Sequence, residues 1–471
     1  MKISIPNLGR RPAFSALFAA CLLAGCASPS SFQPGAAPSA PSAYKEADAG
    51  VPTAAQSPAS GRWWEVFGDA QLSELVAHAD AGNTSIQRAA ARLAQARALL
   101  HQADADRLPQ LALGASASRG NLSTPGVVRA TSVLSAGAQA SWEPDLFGRL
   151  AQASSAAALD AQASEALLQG ARLLVQGDVA QTYFVLRALD DERSLVRETV
   201  AAYRDTLRLT ERRYAAGDVA ELDLARVQAE VAATESQALA LDLRRAQLEH
   251  ALAVLLGELP SSFTLAEAQW QAGLPVVPAG VPSAVLTRRP DVAAAQHAMR
   301  AAQARAGVAQ SAWFPDLSLT ASGGRASDEL SQLFKASARS WGLGALLSLP
   351  LLDGGRREAA VQNANAQWDA AAVDYREHVL AAFQDVEDQL AALRLLDRQA
   401  QSQAQAVQAS ARATVLSGSR YRNGLVSQLE LLDARRSELS NRRQAVQLQA
   451  AQYQATVGLI RALGGGWNAS L

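Results

Sequence analysis

The chain repeats itself at long range. YAAGDVAELDLARVQA (Tyr214–Ala229) returns in outline as YRNGLVSQLELLDARR (Tyr421–Arg436), 207 residues later. Asp178-Val179 and Asp385-Val386 keep the same separation. RLPQLALGASAS (Arg107–Ser118) matches WFPDLSLTASGG (Trp313–Gly324), and SWEPDLFGR (Ser141–Arg149) matches SLPLLDGGR (Ser348–Arg356) with one gap. A period this long exceeds any solenoid unit, so it records duplication of a whole structural half. Each half then holds strands, a very long helix, a sharp corner and a second long helix.

The long helices follow from what the sequence omits. Arg149 to Arg213 contains no proline and little glycine, and apolar residues recur at helical spacing. A helix of about 65 residues is about 95 Å long. Arg356 to Ser417 is nearly as long. After the first corner, Val227, Val231, Thr234, Ala238, Leu241, Arg245, Leu248, Leu252 and Leu255 alternate spacings of four and three. This is a heptad seam broken at Arg245, a packing feature that carries no chemistry.

Four shorter segments alternate with period two. Leu111, Leu113, Ala115 and Ala117 face one way, and Gly114, Ser116 and Ser118 the other. Leu134–Trp142, Leu317–Ala321 and Trp341–Leu349 repeat the pattern, interrupted at Leu346. Each reads as a strand of about ten residues, enough to cross a bilayer when tilted. Trp142, Trp313, Phe314 and Trp341 sit at strand ends, as in an aromatic girdle. The polar stretches Gly120–Ser132 and Arg325–Arg339 read as surface loops. Alternation alone also fits a soluble β-subdomain with one buried face. If the strands do cross lipid, only a closed barrel satisfies their backbone, and four strands are too few. Two copies give eight strands with a filled interior; three give twelve, with room for a channel.

The N-terminus reads as a leader. Lys2, Arg10 and Arg11 precede a short apolar run from Ala13 to Gly25, which ends in LAGC, Leu23–Cys26. The stretch resembles a bacterial lipobox, whose cysteine is lipidated and becomes the first residue of the mature protein. That leaves Cys26 as the one cysteine of the mature chain, so no internal disulfide forms. Residues 27–60, rich in Ala, Pro and Ser, read as an extended linker with no core of its own.

The 43 basic and 44 acidic side chains nearly balance, which gives no support for nucleic-acid binding. The five histidines are scattered, LGGGWN (Leu463–Asn468) lacks the Lys-Ser/Thr of a phosphate loop, and DLFGR stands without the rest of a kinase motif set. No catalytic residues, cofactor or metal site are assigned, and the chain is read as no enzyme.

Together the lipobox, WWEVFGDAQLSEL (Trp63–Leu75), SWEPDLFGR, LPLLDGGRR and the paired Tyr-x-x-Gly corners resemble the outer-membrane factor (TolC/OprM-like) family, in its lipoprotein, drug-efflux branch. The likeness runs from about Trp63 to Gly466. It implies an internally duplicated α+β membrane protein. A homotrimer would build a twelve-stranded outer-membrane β-barrel, four strands per chain, continuous with a long periplasmic α-helical barrel. The chain divides into a signal peptide (1–25), a linker after acylated Cys26 (26–60), a first repeat (61–256), an equatorial linker (257–283) and a second repeat (284–471). Strands are expected near 109–120, 132–143, 314–324 and 340–350, and hairpin tips near 214–220 and 421–427.

By the same resemblance the tips carry adaptor docking, at Tyr214, Gly217, Asp218, Tyr421 and Gly424. The periplasmic gate falls on Glu430 and Asp433, three residues apart and so on one helix face. Arg420 and Tyr421 match positions that hold the tip shut. The implied function is a passive exit duct for drugs or other small molecules. It would be fed by an inner-membrane pump of the resistance-nodulation-division type through a periplasmic adaptor. A type I protein-secretion or metal-export channel is the alternative within transport. A structural coiled-coil envelope lipoprotein is the alternative of another class.

Overall fold

A computed structural model describes residues 40–46, 61–124, 127–270, 273–278, 280 and 282–466. Cys26 and the leader lie outside the described residues. Eight α-helices are described: α1 (Ala70–Gly82), α2 (Thr84–Ala105), α3 (Arg149–Ala215), α4 (Glu221–Leu256), α5 (Pro282–Arg288), α6 (Pro290–Ser311), α7 (Arg356–Arg422) and α8 (Gln428–Ala462). Four strands accompany them: β1 (Gln110–Thr124), β2 (Val127–Trp142), β3 (Asp316–Ser327) and β4 (Arg339–Ser348).

Helices α3 and α7 have 67 residues each, about 100 Å of continuous helix. Each is longer than any helix it packs on, so two helices in tandem line each of them. Helix α2 packs on one part of α3 and α4 on another. The two meet end to end, where the Asn83 side chain donates to the Leu255 carbonyl at 2.7 Å and caps α2 by accepting from the Ser85 and Ile86 N–H groups. A Cβ on Gly82 would stand 2.3 Å from the Leu256 carbonyl oxygen, so this junction closes only with glycine. The second half repeats the device with α8 and α6: a Cβ on Gly464 would fall 2.5 Å from the Arg288 carbonyl oxygen. Each protomer thus supplies four helical columns, in two equivalent pairs.

The seam of α4 buries Val227, Val231, Leu241 and Leu252. Arg245, which breaks the heptad, is buried with them. Its guanidinium reaches Asp190 on α3 at 2.8 Å, Glu249 at 3.0 Å and the Leu265 carbonyl at 2.6 Å. Asp190 also pairs with Arg187 and Arg193. Arg187 donates to the Ala266 carbonyl, and Arg193 pairs with Asp242 and Glu267. The network pins the segment after α4 across the α3–α4 pair, beside an aromatic core of Trp63, Phe67, Phe184, Trp270 and Tyr453.

Of the stretch read as a linker, residues 40–46 are described, and they are docked on the second half. Tyr44 is buried among Val285, Val292, Val379 and Val386, and the N–H groups of Lys45 and Glu46 donate to the Glu387 carboxylate at 2.8 and 3.0 Å. Tyr44 does not dock the stretch alone: the Glu387 bonds and the Glu46–Arg394 ion pair act with it.

The four strands form one antiparallel sheet in the order β1-β2-β3-β4. The outer edges of β1 and β4 are unpaired within the chain. The stretch Gly120–Ser132, read as a surface loop, is mostly strand: pairing continues from Gly120↔Thr131 to Thr124↔Val127. Polarity misled that reading, since a strand that projects beyond the lipid keeps its backbone ladder while its side chains turn hydrophilic. Arg325–Arg339 is nearer a loop, with β3 ending at Ser327 and β4 beginning at Arg339.

Asp242 and Glu267 have pKa values below the ordinary carboxylate range. Burial pushes both up, but hydrogen bonds and charge from Arg193 outweigh it. A carboxyl depressed in the folded state contributes stability above its unfolded pKa of about 4, and loses it as the pH falls through the folded value. The contribution of this pair is therefore expected to be constant from neutral pH to about 5 and to be lost below about 4, so that the thermal midpoints of the native protein and of Asp242→Asn/Glu267→Gln should differ at neutral pH and converge in acid. Asp190→Ala removes the shared centre but leaves Arg193 with Asp242 and Glu267, Arg245 with Glu249 and Arg187 with the Ala266 carbonyl, so it is expected to cost about 1–3 kcal/mol in chemical denaturation.

Candidate functional site

Both corners are built the same way. In the first, the Gly217 N–H donates to the Tyr214 carbonyl at 2.9 Å and the Asp218 N–H to the Arg213 carbonyl at 2.8 Å. In the second, Gly424 donates to Tyr421 at 3.0 Å and Leu425 to Arg420 at 2.9 Å. This paired pattern satisfies the last helical carbonyls and requires a left-handed residue after the helix. Gly217 and Gly424 supply it, with φ of 78° and 71°. The Arg-Tyr-x-x-Gly motif is therefore a helix stop, which explains its recurrence.

The second corner restarts its helix with Ser427, whose hydroxyl accepts from the Glu430 N–H at 3.4 Å. Glu430 thus sits in the first turn of α8, where the helix dipole favours an acid. Its carboxylate lies 3.7 Å from Arg420 at the end of α7, so Arg420 bridges the two arms of its own hairpin. Tyr421 reaches the other hairpin: its hydroxyl accepts from Arg213 at 3.3 Å, and the same guanidinium lies over its ring. Asp433 is exposed one turn on, 3.4 Å from Arg436. Arg436 is held mainly by Glu230 of α4, with Nε 2.8 Å from its carboxylate. Glu430 and Asp433 are both about half exposed, with side-chain values of 48% and 58%.

Further contacts fasten the second hairpin to the first. Gln428 donates to Thr210 at 2.9 Å and Arg435 to Thr206 at 2.8 Å, while Arg443 pairs with Glu192. These residues were not singled out from sequence. Thr206 and Thr210 lie one turn apart on α3, but nothing local marks them as acceptors for α8. Among the tip residues, Tyr214, Gly217 and Asp218 cluster at the first corner and Tyr421 and Gly424 at the second, joined by Arg213.

At the opposite end of the molecule, the sheet exposes a broad apolar face. Leu113 is 85% exposed and Trp341 81%, with Leu111, Leu343 and Leu347 beside them. A face of this kind belongs in lipid or against a partner. Among the described residues no helix is long and apolar enough to cross a membrane.

The sequence pattern of the outer membrane efflux protein family matches residues 75–258 and 281–465, once in each half. The chain belongs to that family. It is 33% identical over 454 residues to the cation efflux system protein CusC of Escherichia coli O6:H1, covering 95% of this chain and 97% of CusC. It is 35% identical over 434 residues to the pyoverdine export outer membrane protein OpmQ of Pseudomonas putida, covering 89% and 91%. The crystal structure of the Campylobacter jejuni CmeC outer membrane channel superposes with a TM-score of 0.88 at 26% identity, over 94% of this chain and 96% of that one.

The protein is accordingly an outer-membrane channel of a tripartite efflux system. It forms a homotrimer and works with a periplasmic adaptor and an inner-membrane pump of the resistance-nodulation-division type. Its four strands are one third of a twelve-stranded barrel, and its helical columns one third of the periplasmic tunnel.

Gly217→Ala and Gly424→Ala force an L side chain into the left-handed region, which costs about 1–2 kcal/mol. Each is expected to lower the unfolding free energy by that amount and to raise amide exchange at its own corner while leaving the other corner protected.

Proposed function

We propose that the duct is gated at the second corner, by Glu430 and Asp433, with Arg420 and Tyr421 as the latches that hold the hairpins together. The supporting observation is the division of labour among charges there. Arg435 and Gln428 bond to α3, and Arg436, itself half exposed, pairs with Glu230 of α4, while Glu430 and Asp433 remain half exposed on one face of α8. In a trimer this face brings three copies of each acid toward one axis. Such a ring attracts cations and narrows by the reach of its own side chains. Releasing Arg420 from Glu430 and Tyr421 from Arg213 would free the second hairpin to swing outward.

The two tips, Tyr214–Asp218 and Tyr421–Gly424, would meet the adaptor, because they end the columns farthest from the sheet. Cys26 would carry the acyl anchor in the outer membrane. The described strap at Tyr44 would tie that anchor to α7. Transport through the duct would be passive, with energy supplied by the pump. The cargo would be drugs or other small organic molecules, in keeping with OpmQ, which is named for pyoverdine export. Export of metal cations is the second reading, favoured by the likeness to CusC, named for cation efflux, and by the acidic face of α8.

Single-channel recording of the purified trimer in a planar bilayer tests the gate. The expected result is a small, cation-preferring conductance whose preference weakens in Glu430→Ala/Asp433→Ala. Unchanged selectivity and conductance in the double variant would place the constriction elsewhere.

A further inference from the structure

All helices join the sheet at one end. Strands β1 and β3 begin, and β2 and β4 end, beside α2, α6, α3 and α7. The other end of the sheet therefore points to the outer leaflet. On the apolar face, Leu317↔Leu347, Leu319↔Ala345, Ala321↔Leu343 and Gly323↔Trp341 are successive outward rungs. The next rung in this series is Arg325↔Arg339. Two arginines thus stand directly opposite each other on the lipid side, with Cα atoms about 5 Å apart.

Like charges facing each other across an antiparallel pair are destabilising unless a counter-charge joins them. The strands offer none. Sequences β1, β2 and β4 contain no Asp or Glu, and β3 has only Asp316, at its helix-proximal end. The loop acids Asp328 and Glu329 accept from the Ser327 and Ser331 hydroxyls. Among the described residues Arg325 and Arg339 form no ion pair; Arg325 instead donates to the Phe334 and Lys335 carbonyls, the latter at 3.1 Å. That bond folds the loop back over the strand end. It brings Lys335 and the ring of Phe334, 76% exposed, to the same place. Arg119, paired with Ser132, lies on the same face of β1.

We propose that Arg325, Arg339 and Lys335 form a binding site for the phosphate of an acylated outer-leaflet glycolipid, lipid A. The guanidinium pair would take the phosphate through charge-assisted hydrogen bonds. Trp341, one rung below toward the apolar face, would contact the acyl chains. A phosphate here supplies the counter-charge that the strands lack, and the apolar rungs below it offer acyl chains a contact that a soluble anion cannot use. The trimer carries three such sites on its outer wall.

The test is binding of diphosphorylated lipid A in mixed micelles to the purified trimer, read as lipid retained per trimer by native mass spectrometry and as the rise in thermal midpoint. Arg325→Gln/Arg339→Gln is expected to weaken binding about tenfold or more. Arg339→Lys, which keeps the charge, is expected to retain most of it. Channel conductance of both variants reports that the barrel is folded. Equal binding by the folded double variant, or equal binding of dephosphorylated lipid A by the native trimer, would overturn the proposal. Saturation of the site by inorganic phosphate at the same concentration would overturn the lipid assignment.

Discussion

A peptide group in hydrocarbon has no water to pair with, and that shortage decides the architecture of this protein. Four strands satisfy one another within the sheet but leave the outer edges of β1 and β4 unpaired. In lipid each open edge costs several kcal/mol per unsatisfied group, so the chain is stable in a membrane only when β4 of one copy pairs with β1 of the next. Three copies close the ring. The helices inherit the threefold arrangement, because each long helix leaves the sheet directly from a strand end, α3 from β2 and α7 from β4.

Duplication then does the rest economically. One solution for stopping a very long helix, an arginine, a tyrosine and a left-handed glycine in fixed register, is used at the tip of each of the protomer's two hairpins. One solution for stacking two shorter helices end to end, a glycine at a backbone contact, is used at both junctions. The halves diverge in charge just after the corners. At the position of Glu430 the first corner has Asp223, and at the position of Asp433 it has Arg226. Asp223 and Arg226 neutralise each other in an i,i+3 pair, whereas Asp433 shares its arginine with Glu230 on the other hairpin.

Much of the fold was visible in periodicity. The heptad seam, the period-two strands and the corner motif are local patterns, and a local pattern is read directly from a string of residues. Contacts between distant segments were not. Arg245 was visible as a break in the seam, but its partners, Asp190 and the Leu265 carbonyl, lie on other segments. Strand ends were misjudged at Gly120–Ser132 because hydrophobicity reports the lipid boundary and not the end of backbone pairing. Tyr44 was absorbed into a linker by its neighbours' composition. The two acids proposed for the gate, Glu430 and Asp433, came from the family resemblance. Their surroundings were not legible, since Arg436 meets Glu230 across 206 residues and Arg435 meets Thr206 across 229.

The central claim, that the outward acids of α8 converge on one axis and form the constriction, is tested most directly by cysteine scanning. Cys21 and Cys26, the chain's two cysteines, lie near its N-terminus, so Asp433→Cys places three new thiols in the trimer at the proposed ring. Cadmium added to a planar bilayer holding that variant should block the current reversibly, because thiolates meeting on one axis bind a soft divalent cation together. The native trimer should pass current undisturbed. Current through Asp433→Cys that ignores cadmium, with its thiols shown to be reactive toward maleimide, would contradict the account.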